Sequence, residues 1–206
     1  MRLQPRPALP QPAPPTPQEE ANHRIANHLQ LISALISIEA RSVSHPETRS
    51  VLERMEQRIV AIGGVHRQLC TSAGGEVDLG DYLETLGEQL MRSCGSGRSI
   101  VVDAETVPVD SATASAVGVV ASELITNACK HAYAPDEPGS IFIALRRRND
   151  ARYRFVVEDR GCRVTGPKTG SGLGSRLIKA TVARLGGTMK WENAQPGTRF
   201  VMDFRP

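Results

Sequence analysis

The 206-residue sequence lacks three features that would each point to a class of protein. Its formal net charge is only +3, and the one basic run, the arginines at 146–148, is typical of a hairpin end, so the charge gives no argument for nucleic-acid binding. It has no run of eighteen apolar residues and no apolar signal-peptide core. We therefore expect a cytoplasmic protein with no membrane segment in this chain.

Cysteine is also scarce, and the four residues at positions 70, 94, 129 and 162 lie far apart. No Cys-x-x-Cys pair and no histidine-rich spacing accompanies them, which argues against a zinc site and against a disulfide framework. We expect reduced thiols, as in the cytosol. Hydrophobic residues at 40% and charged residues at 23% are typical of a soluble globular protein.

The sequence divides into three regions. Residues 1–18 contain seven prolines and predict a disordered leader. Residues 19–75 predict a helical hairpin, broken at Ser44-His45-Pro46. Its first helix carries two apolar stripes, which favours burial against its own partner helix and against a second subunit, giving a four-helix bundle as a dimer. The stripes are Ile25-Leu29-Ile32-Ile36 and Leu31-Leu35-Ile38.

Residues 76–206 predict a second domain of helices and antiparallel strands. Helices are expected from 79 to about 92, from 111 to about 132 and from 175 to about 185, and strands at 99–102, 141–145, 153–157, 188–191 and 198–204. This order indicates an α/β sandwich, so the predicted fold class of the chain is α+β.

Within the first helix, His23, Asn27 and Gln30 fall on one polar face at spacings of four and three. A displayed imidazole can act as a nucleophile and accept a phosphoryl group on a ring nitrogen, and the two amides can orient it. A lone surface histidine is more often a solvated residue. His66, on the apolar seam of the second helix, is interpreted as a packed core or interface histidine.

Three segments of the second domain could together bind a nucleotide. One helix carries an amide oxygen suited to Mg²⁺, with a cation and a donor for phosphates one turn later. A strand end carries a carboxylate that can accept the amino group of adenine, and a glycine loop before the last helix can hold phosphates. The residues are Glu123, Asn127, Lys130 and His131; Asp159 and Gly161; and Gly170, Gly172, Leu173 and Gly174.

These residues resemble two known patterns. The box around His23, with Arg24, Asn27 and Gln30, is similar to the phosphoacceptor box of bacterial sensor histidine kinases of the His-Arg-x-x-Asn type, which are related to the HWE-type kinases. The three later segments, in their order, resemble the GHKL or Bergerat ATP-binding fold of histidine kinases, gyrase, Hsp90 and MutL. The resemblance runs from about residue 19 to the C-terminus.

The resemblance implies a role for each residue. His23 would be the phosphoacceptor, Asn127 the Mg²⁺ ligand, Lys130 and His131 phosphate ligands, and Asp159 the adenine ligand. Glu123 stands where this fold's hydrolases have their general base and its kinases a residue that orients the reacting groups. The implied cofactors are ATP and Mg²⁺, and the implied partners are a response-regulator receiver domain and a second copy of the chain.

Two departures keep alternatives open. Arg163 replaces the second glycine of the Asp-x-Gly-x-Gly pattern, and residues 162–169 are few for a lid over a triphosphate. The main hypothesis is a histidine kinase that autophosphorylates His23 and passes the group to a receiver aspartate. The alternatives are an ATP-independent histidine phosphotransferase with a degenerate kinase domain, and a Bergerat-fold ATPase or anti-sigma-type serine kinase.

Overall fold

The computed structural model describes residues 16–70, 76–92, 94, 97–134, 137–148, 151–162 and 173–206. Most of the predicted proline-rich leader, and residues 71–75 at the end of the predicted hairpin region, therefore lie outside the described residues. The helices are α1 (Pro17–Ser42), α2 (Pro46–Leu69), α3 (Leu79–Met91), α4 (Ser111–His131) and α5 (Leu173–Arg184). The strands are β1 (Val77–Asp78), β2 (Arg98–Ala104), β3 (Pro108–Val109), β4 (Gly139–Arg147), β5 (Tyr153–Asp159), β6 (Thr188–Asn193) and β7 (Thr198–Phe204).

Helix α1 begins where its N-terminal amides find partners. The Thr16 hydroxyl accepts a hydrogen bond from the Glu19 amide at 3.2 Å, and the Glu19 carboxylate accepts one from the Thr16 amide at 2.6 Å. This reciprocal capping box is completed by Pro17, which needs no amide partner in the first turn. Pro46 likewise lies in the first turn of α2, where it needs no amide partner, although the His45 side chain makes no capping hydrogen bond. The predicted break between the two helices is confirmed.

The face that α1 turns toward α2 is made of small residues. Ala26, Ser33 and Ala40 are buried there, whereas Ile25 and Ile32 are 41% and 43% exposed. The first predicted stripe is therefore only partly correct, because small side chains let the two helix axes approach and leave the branched ones outside. The second stripe also faces outward, with Leu31, Leu35 and Ile38 among the most exposed large apolar residues.

The C-terminal part contains a five-stranded mixed sheet in the order β2-β4-β5-β7-β6. Strands β2 and β4 are parallel, with Ile100 opposite Ile141, and the other pairs are antiparallel. The prediction of antiparallel strands throughout was wrong at this pair because α4 lies between them in sequence and serves as the crossover that parallel strands require. Strands β1 and β3 form a separate short antiparallel pair.

Helix α4 is the central helix of the core. It is long and apolar enough by length and composition to cross a membrane, but 72% of its most apolar window is buried inside the protein. It packs with α3 and α5 on one face of the sheet, against the inward side chains of the central strands. That burial explains the hydropathy of α4. The order of elements, a helical hairpin followed by a mixed sheet with its helices, confirms the predicted α+β class.

Tyr82 of α3 joins the hairpin to this core. Its hydroxyl donates to the Ala61 carbonyl of α2 at 2.7 Å, and a Cβ on Gly118 of α4 would lie 1.9 Å from the same hydroxyl. Burial raises the pKa of the Tyr82 phenol well above its ordinary value, so the group stays a hydrogen-bond donor. The last turns of α2 and the helices α3 and α4 therefore share one hydrophobic core.

Two cysteines depart from the prediction of reduced thiols. Cys94, after α3, and Cys129, in the last turns of α4, form a disulfide with their Cα atoms 5.4 Å apart. Their separation of 35 residues carries no recognisable motif, and only the packing of α3 beside α4 brings them together. Cys70 and Cys162 are free.

Reducing this disulfide should lower the free energy of unfolding by about 2–4 kcal/mol, because the cross-link restricts the unfolded chain. Urea denaturation with and without reductant measures the difference, and Cys94→Ser should reproduce the reduced value. Cys162→Ser, at an exposed free thiol, is the control and should change nothing. Detection of four free thiols in the purified protein by mass spectrometry would contradict the assignment.

Candidate nucleotide and phosphoacceptor sites

Helix α4 presents the first group of predicted site residues. It begins at Asp110, whose carboxylate accepts a hydrogen bond from the Thr113 amide at 2.6 Å, and that bond lowers the pKa of the carboxyl. Glu123, Asn127 and Lys130 then follow on successive turns. Glu123 is 3% exposed, Asn127 is half-buried, and Lys130 is near the surface with His131 after it.

Asp159 lies at the end of β5 and is 7% exposed. The Gly161 amide donates to its carboxylate at 3.1 Å, and a Cβ on Gly161 would lie 1.9 Å from the Ala132 carbonyl. On the other side, Gly197 has a φ of +105° and no room for a Cβ beside the Asp159 carbonyl. Two glycines therefore fix this strand end against the C-terminus of α4.

The start of α5 lies beside Glu123. A Cβ on Gly174 would be 1.9 Å from the Glu123 carboxylate oxygen Oε1, so a larger residue there would have to displace that carboxylate. The structure thus brings the Asp159 segment and the first turn of α5 to the same helix, as the three-segment prediction requires. Gly170, Gly172 and Arg163 lie outside the described residues, and for Leu173 only the helical backbone is described.

The donors present fit Mg²⁺ better than a transition metal. Among the described residues, no group of three or more His, Cys, Asp or Glu side chains could hold a metal ion. Mg²⁺ usually keeps several waters and is bound through few protein oxygens together with substrate phosphates. One half-buried amide, Asn127, beside an exposed Lys130 suits that mode.

In the part of the chain that the structure describes, four pairs of polar side chains join α2 to α4, and the sequence did not reveal them; we call this set the α2–α4 polar contact. Arg58 donates to Glu123 Oε2 from Nη2 at 2.7 Å and from Nε at 3.2 Å. Lys130 Nζ lies 2.9 Å from Glu53 Oε2 and 3.3 Å from the Ser50 hydroxyl. Thr126 donates to Gln57. No local signal could have predicted these pairs, because their members lie 65 to 80 residues apart in sequence.

His23 is exposed on α1, whereas Asn22 and Ala26 of the same helix are buried. The Asn27 amide nitrogen lies 3.2 Å from His23 Nδ1, so with that amide donating, Nδ1 accepts and Nε2 carries the proton. Gln30, on the same helix, is also exposed. The predicted pairing of His23 with Asn27 is therefore present in the structure.

A second histidine anchors the same turn of α1. His66 Nδ1 lies 3.2 Å from the amide oxygen of Asn22, a residue that is 9% exposed. Burial lowers the pKa of His66, which favours a neutral ring that donates from Nδ1. The interpretation of His66 as a packed histidine agrees with this contact, and the bond holds the start of α1 against the end of α2.

His23 and the end of α4 that carries Lys130 are far apart. Asn22, next to His23, contacts His66, whereas Lys130 contacts Glu53, which is thirteen residues earlier on α2. At the rise of an α-helix that separation is about 20 Å along the axis. The end of α4 that carries Lys130 therefore points toward the hairpin turn, away from this chain's own His23.

Two family models match the chain. The model described as "Histidine kinase" (HisKA_2) matches residues 20–94, and the one described as "Histidine kinase-, DNA gyrase B-, and HSP90-like ATPase" (HATPase_c) matches residues 113–206. The chain belongs to the histidine kinase family. It is of the HWE type, with a GHKL-type ATP-binding domain, as its motifs predicted.

Histidine kinases among the known proteins resemble it along most of its length. Blue-light-activated histidine kinase 2 of Erythrobacter litoralis is 26% identical over 89% of this chain and 55% of its own length. Sensor histidine kinase PdtaS of Mycobacterium tuberculosis is 29% identical over 89% of this chain and 38% of its own. The chain thus spans about half or less of the length of these relatives.

Solved structures show the same fold. The histidine kinase domain of the Erythrobacter litoralis EL346 blue-light activated histidine kinase superimposes with a TM-score of 0.68 at 22% identity, covering 91% of this chain and 94% of that one. The full EL346 kinase gives a TM-score of 0.71 at 23% identity, over 94% of this chain and 61% of that one. The arrangement of hairpin and sheet is thus that of a histidine kinase core.

Gly161→Ala should displace Asp159, because the added methyl group would meet the Ala132 backbone at 1.9 Å. We expect a loss of about 1–3 kcal/mol in unfolding free energy, the usual cost of overpacking, together with weaker adenosine binding by calorimetry. Gly63→Ala is the control: its Cβ would meet Leu29 at an ordinary 3.5 Å, and alanine favours a helix. Equal stability and adenosine affinity for the Gly161 variant and the wild type would refute the expectation.

Proposed function

We propose that this chain is the kinase core of a two-component system, which transfers the γ-phosphoryl group of ATP to His23 and then to an aspartate of a receiver domain. The observation that carries the proposal is the convergence of two glycine-fixed segments, at Gly161 and at Gly174, on the helix that bears Asn127 and Lys130. A separate helix of the same chain displays an exposed histidine with an amide on its ring.

The proposed nucleotide contacts follow from the side chains. The Asp159 carboxylate, buried at a strand end, suits the amino group of adenine. Lys130 supplies a positive charge for the phosphates, and His131 a further donor. Asn127 would be the protein ligand of Mg²⁺, which neutralises phosphate charge when it is bound. Glu123 lies in the same site and is charge-paired with Arg58.

The transfer itself is an in-line displacement at the γ-phosphorus. One ring nitrogen of His23 attacks with its lone pair, the bond to the bridging oxygen breaks, ADP leaves with that electron pair, and the other ring nitrogen of the exposed side chain releases its proton to water. Rotating the Asn27 amide by half a turn would bring its oxygen to His23 Nδ1 as a hydrogen-bond acceptor. The tautomer protonated at Nδ1 would then be favoured, and Nε2 would carry the free lone pair. In this proposal Asn27 therefore selects the reactive nitrogen, and positioning supplies most of the catalysis.

We further propose that the chain acts as a cytoplasmic homodimer that forms through α1. Leu31, Leu35 and Ile38 are 55–60% exposed on one side of the hairpin, a contiguous apolar strip of the kind that helices bury against each other. Pairing two hairpins along this strip would complete a four-helix bundle. His23 lies nearer the N-terminal end of α1 than this strip and would remain accessible to a receiver domain.

Incubation with γ-labelled ATP and Mg²⁺ should give a label that is stable to base and labile to acid, as expected for phosphohistidine. His23→Ala should abolish it, because no other side chain holds the reacting nitrogen. His28→Ala, at another exposed histidine of α1, is the control and should keep the full label. Equal labelling of the His23 variant would refute the phosphoacceptor assignment.

Leu31→Glu combined with Leu35→Glu should convert a dimer to a monomer, since four buried carboxylates would be unpaired in the bundle. Light scattering measures the mass of each form. Val101→Glu, at an exposed apolar residue of β2, is the control and should leave the mass unchanged. A wild-type mass of one chain at tens of micromolar would contradict the proposed dimer.

A further inference from the structure

Lys130, the proposed phosphate ligand, already has an anionic partner in this structure. Its ammonium group lies 2.9 Å from the Glu53 carboxylate and 3.3 Å from the Ser50 hydroxyl, both on α2. The nearby Arg54 donates to the same Ser50 hydroxyl at 2.8 Å. The Glu53 carboxylate of the hairpin thus pairs with the ammonium group of Lys130 on α4, as an anionic ligand would.

We propose that Glu53 competes with the phosphates of the nucleotide for Lys130, so that the position of helix α2 sets the affinity for ATP. This inference rests on the proposed function, because it takes Lys130 to be a phosphate ligand. It adds a residue outside the ATP-binding domain that acts against nucleotide binding, and it gives the hairpin direct control over the site.

The competition follows from charge. An ammonium group is a compact point charge, and turning it toward a triphosphate removes it from Glu53. A carboxylate left beside the phosphates would then repel them, since like charges disfavour each other at short range. Lys130 and Glu53 are 31% and 40% exposed, so the pair is weak enough for a bound nucleotide to displace.

A second pair keeps Glu53 in reach of Lys130. Arg58 and Glu123 are 18% and 3% exposed, and their two hydrogen bonds hold the middle of α2 against α4. Glu53 lies five residues before Arg58 on α2, and Lys130 lies seven residues after Glu123 on α4. The buried pair Arg58–Glu123 therefore fixes how the two helices align, and this alignment brings Glu53 to Lys130.

The consequence is a reciprocal coupling. If the nucleotide and Glu53 exclude each other at Lys130, any movement of α2 that withdraws Glu53 raises the affinity for ATP. Bound ATP in turn weakens the contact between Glu53 and Lys130 by the same factor. A rotation or shift of the hairpin would thereby reach the nucleotide site without passing through the phosphoacceptor.

The test is calorimetric titration of Mg-ATP and of adenosine into the full chain and its variants. Glu53→Gln should tighten Mg-ATP binding about two- to fivefold, the range expected for a partly exposed ion pair, and Glu53→Ala should act in the same direction. Adenosine, which has no phosphates, should bind both forms equally. Glu56→Gln removes the same charge from the same helix and should change the affinity by less than half as much.

A double-mutant cycle decides whether the effect passes through Lys130. Adding Glu53→Gln to Lys130→Gln should give only the small gain that Glu56→Gln gives, because the competition for Lys130 is then gone, although Lys130→Gln alone weakens binding. If the wild type binds Mg-ATP but Glu53→Gln only matches Glu56→Gln, or if its full gain persists without Lys130, the competition is wrong while the proposed kinase stands. If the wild type binds no Mg-ATP at millimolar concentration, the proposed function and this inference both fail.

Discussion

The ionic carboxylate of Glu123, buried at the centre of the structure, constrains much of what surrounds it. A charge out of water needs a partner of opposite sign, and removing one member of such a pair typically costs about 3–5 kcal/mol. Arg58 is that partner, and it comes from the hairpin rather than from the ATP-binding domain. The same carboxylate fills the space where Gly174 would carry a side chain. One group thus links the hairpin, the core helix and the start of α5.

This link has a consequence for the reaction. With α4 held along the middle of α2, Lys130, the proposed phosphate ligand, lies about 20 Å along the helix axis from the level of His23. If the two residues act as proposed, a phosphoryl group cannot cross that distance, and transfer within one chain does not occur in this arrangement. Transfer within one chain requires the polar contacts to break and α4 to move relative to the hairpin. Their mixed burial, deep at Arg58 and shallow at Lys130, would let them break in sequence.

The sequence predicted features that depend on neighbours along the chain. The proline at 46 set the start of α2, and the spacing of Glu123, Asn127 and Lys130 placed them on successive turns of one helix, whereas the capping box at Thr16 was not predicted. It could not predict partners that only folding brings together. Arg58, Glu53 and the cysteine pair carry no spacing signal, and the inner face of α1 was only partly predicted because the prediction followed the large apolar side chains and passed over Ala26, Ser33 and Ala40. Where helices approach closely, small side chains are what the interface requires.

That close approach also explains the apolar strip on the outside of the hairpin. Since Ala26, Ser33 and Ala40 form the inner seam, the larger residues of α1 have no place within the chain. An isolated hairpin in water would expose Leu31, Leu35 and Ile38 at a cost of about 25 cal/mol for each Å² left uncovered. A second copy would remove that cost, and it would couple the rotation of one hairpin to the other. Helix α1, which bears His23, would then also transmit motion to α2, and through α2 to Glu123 and Lys130 on α4.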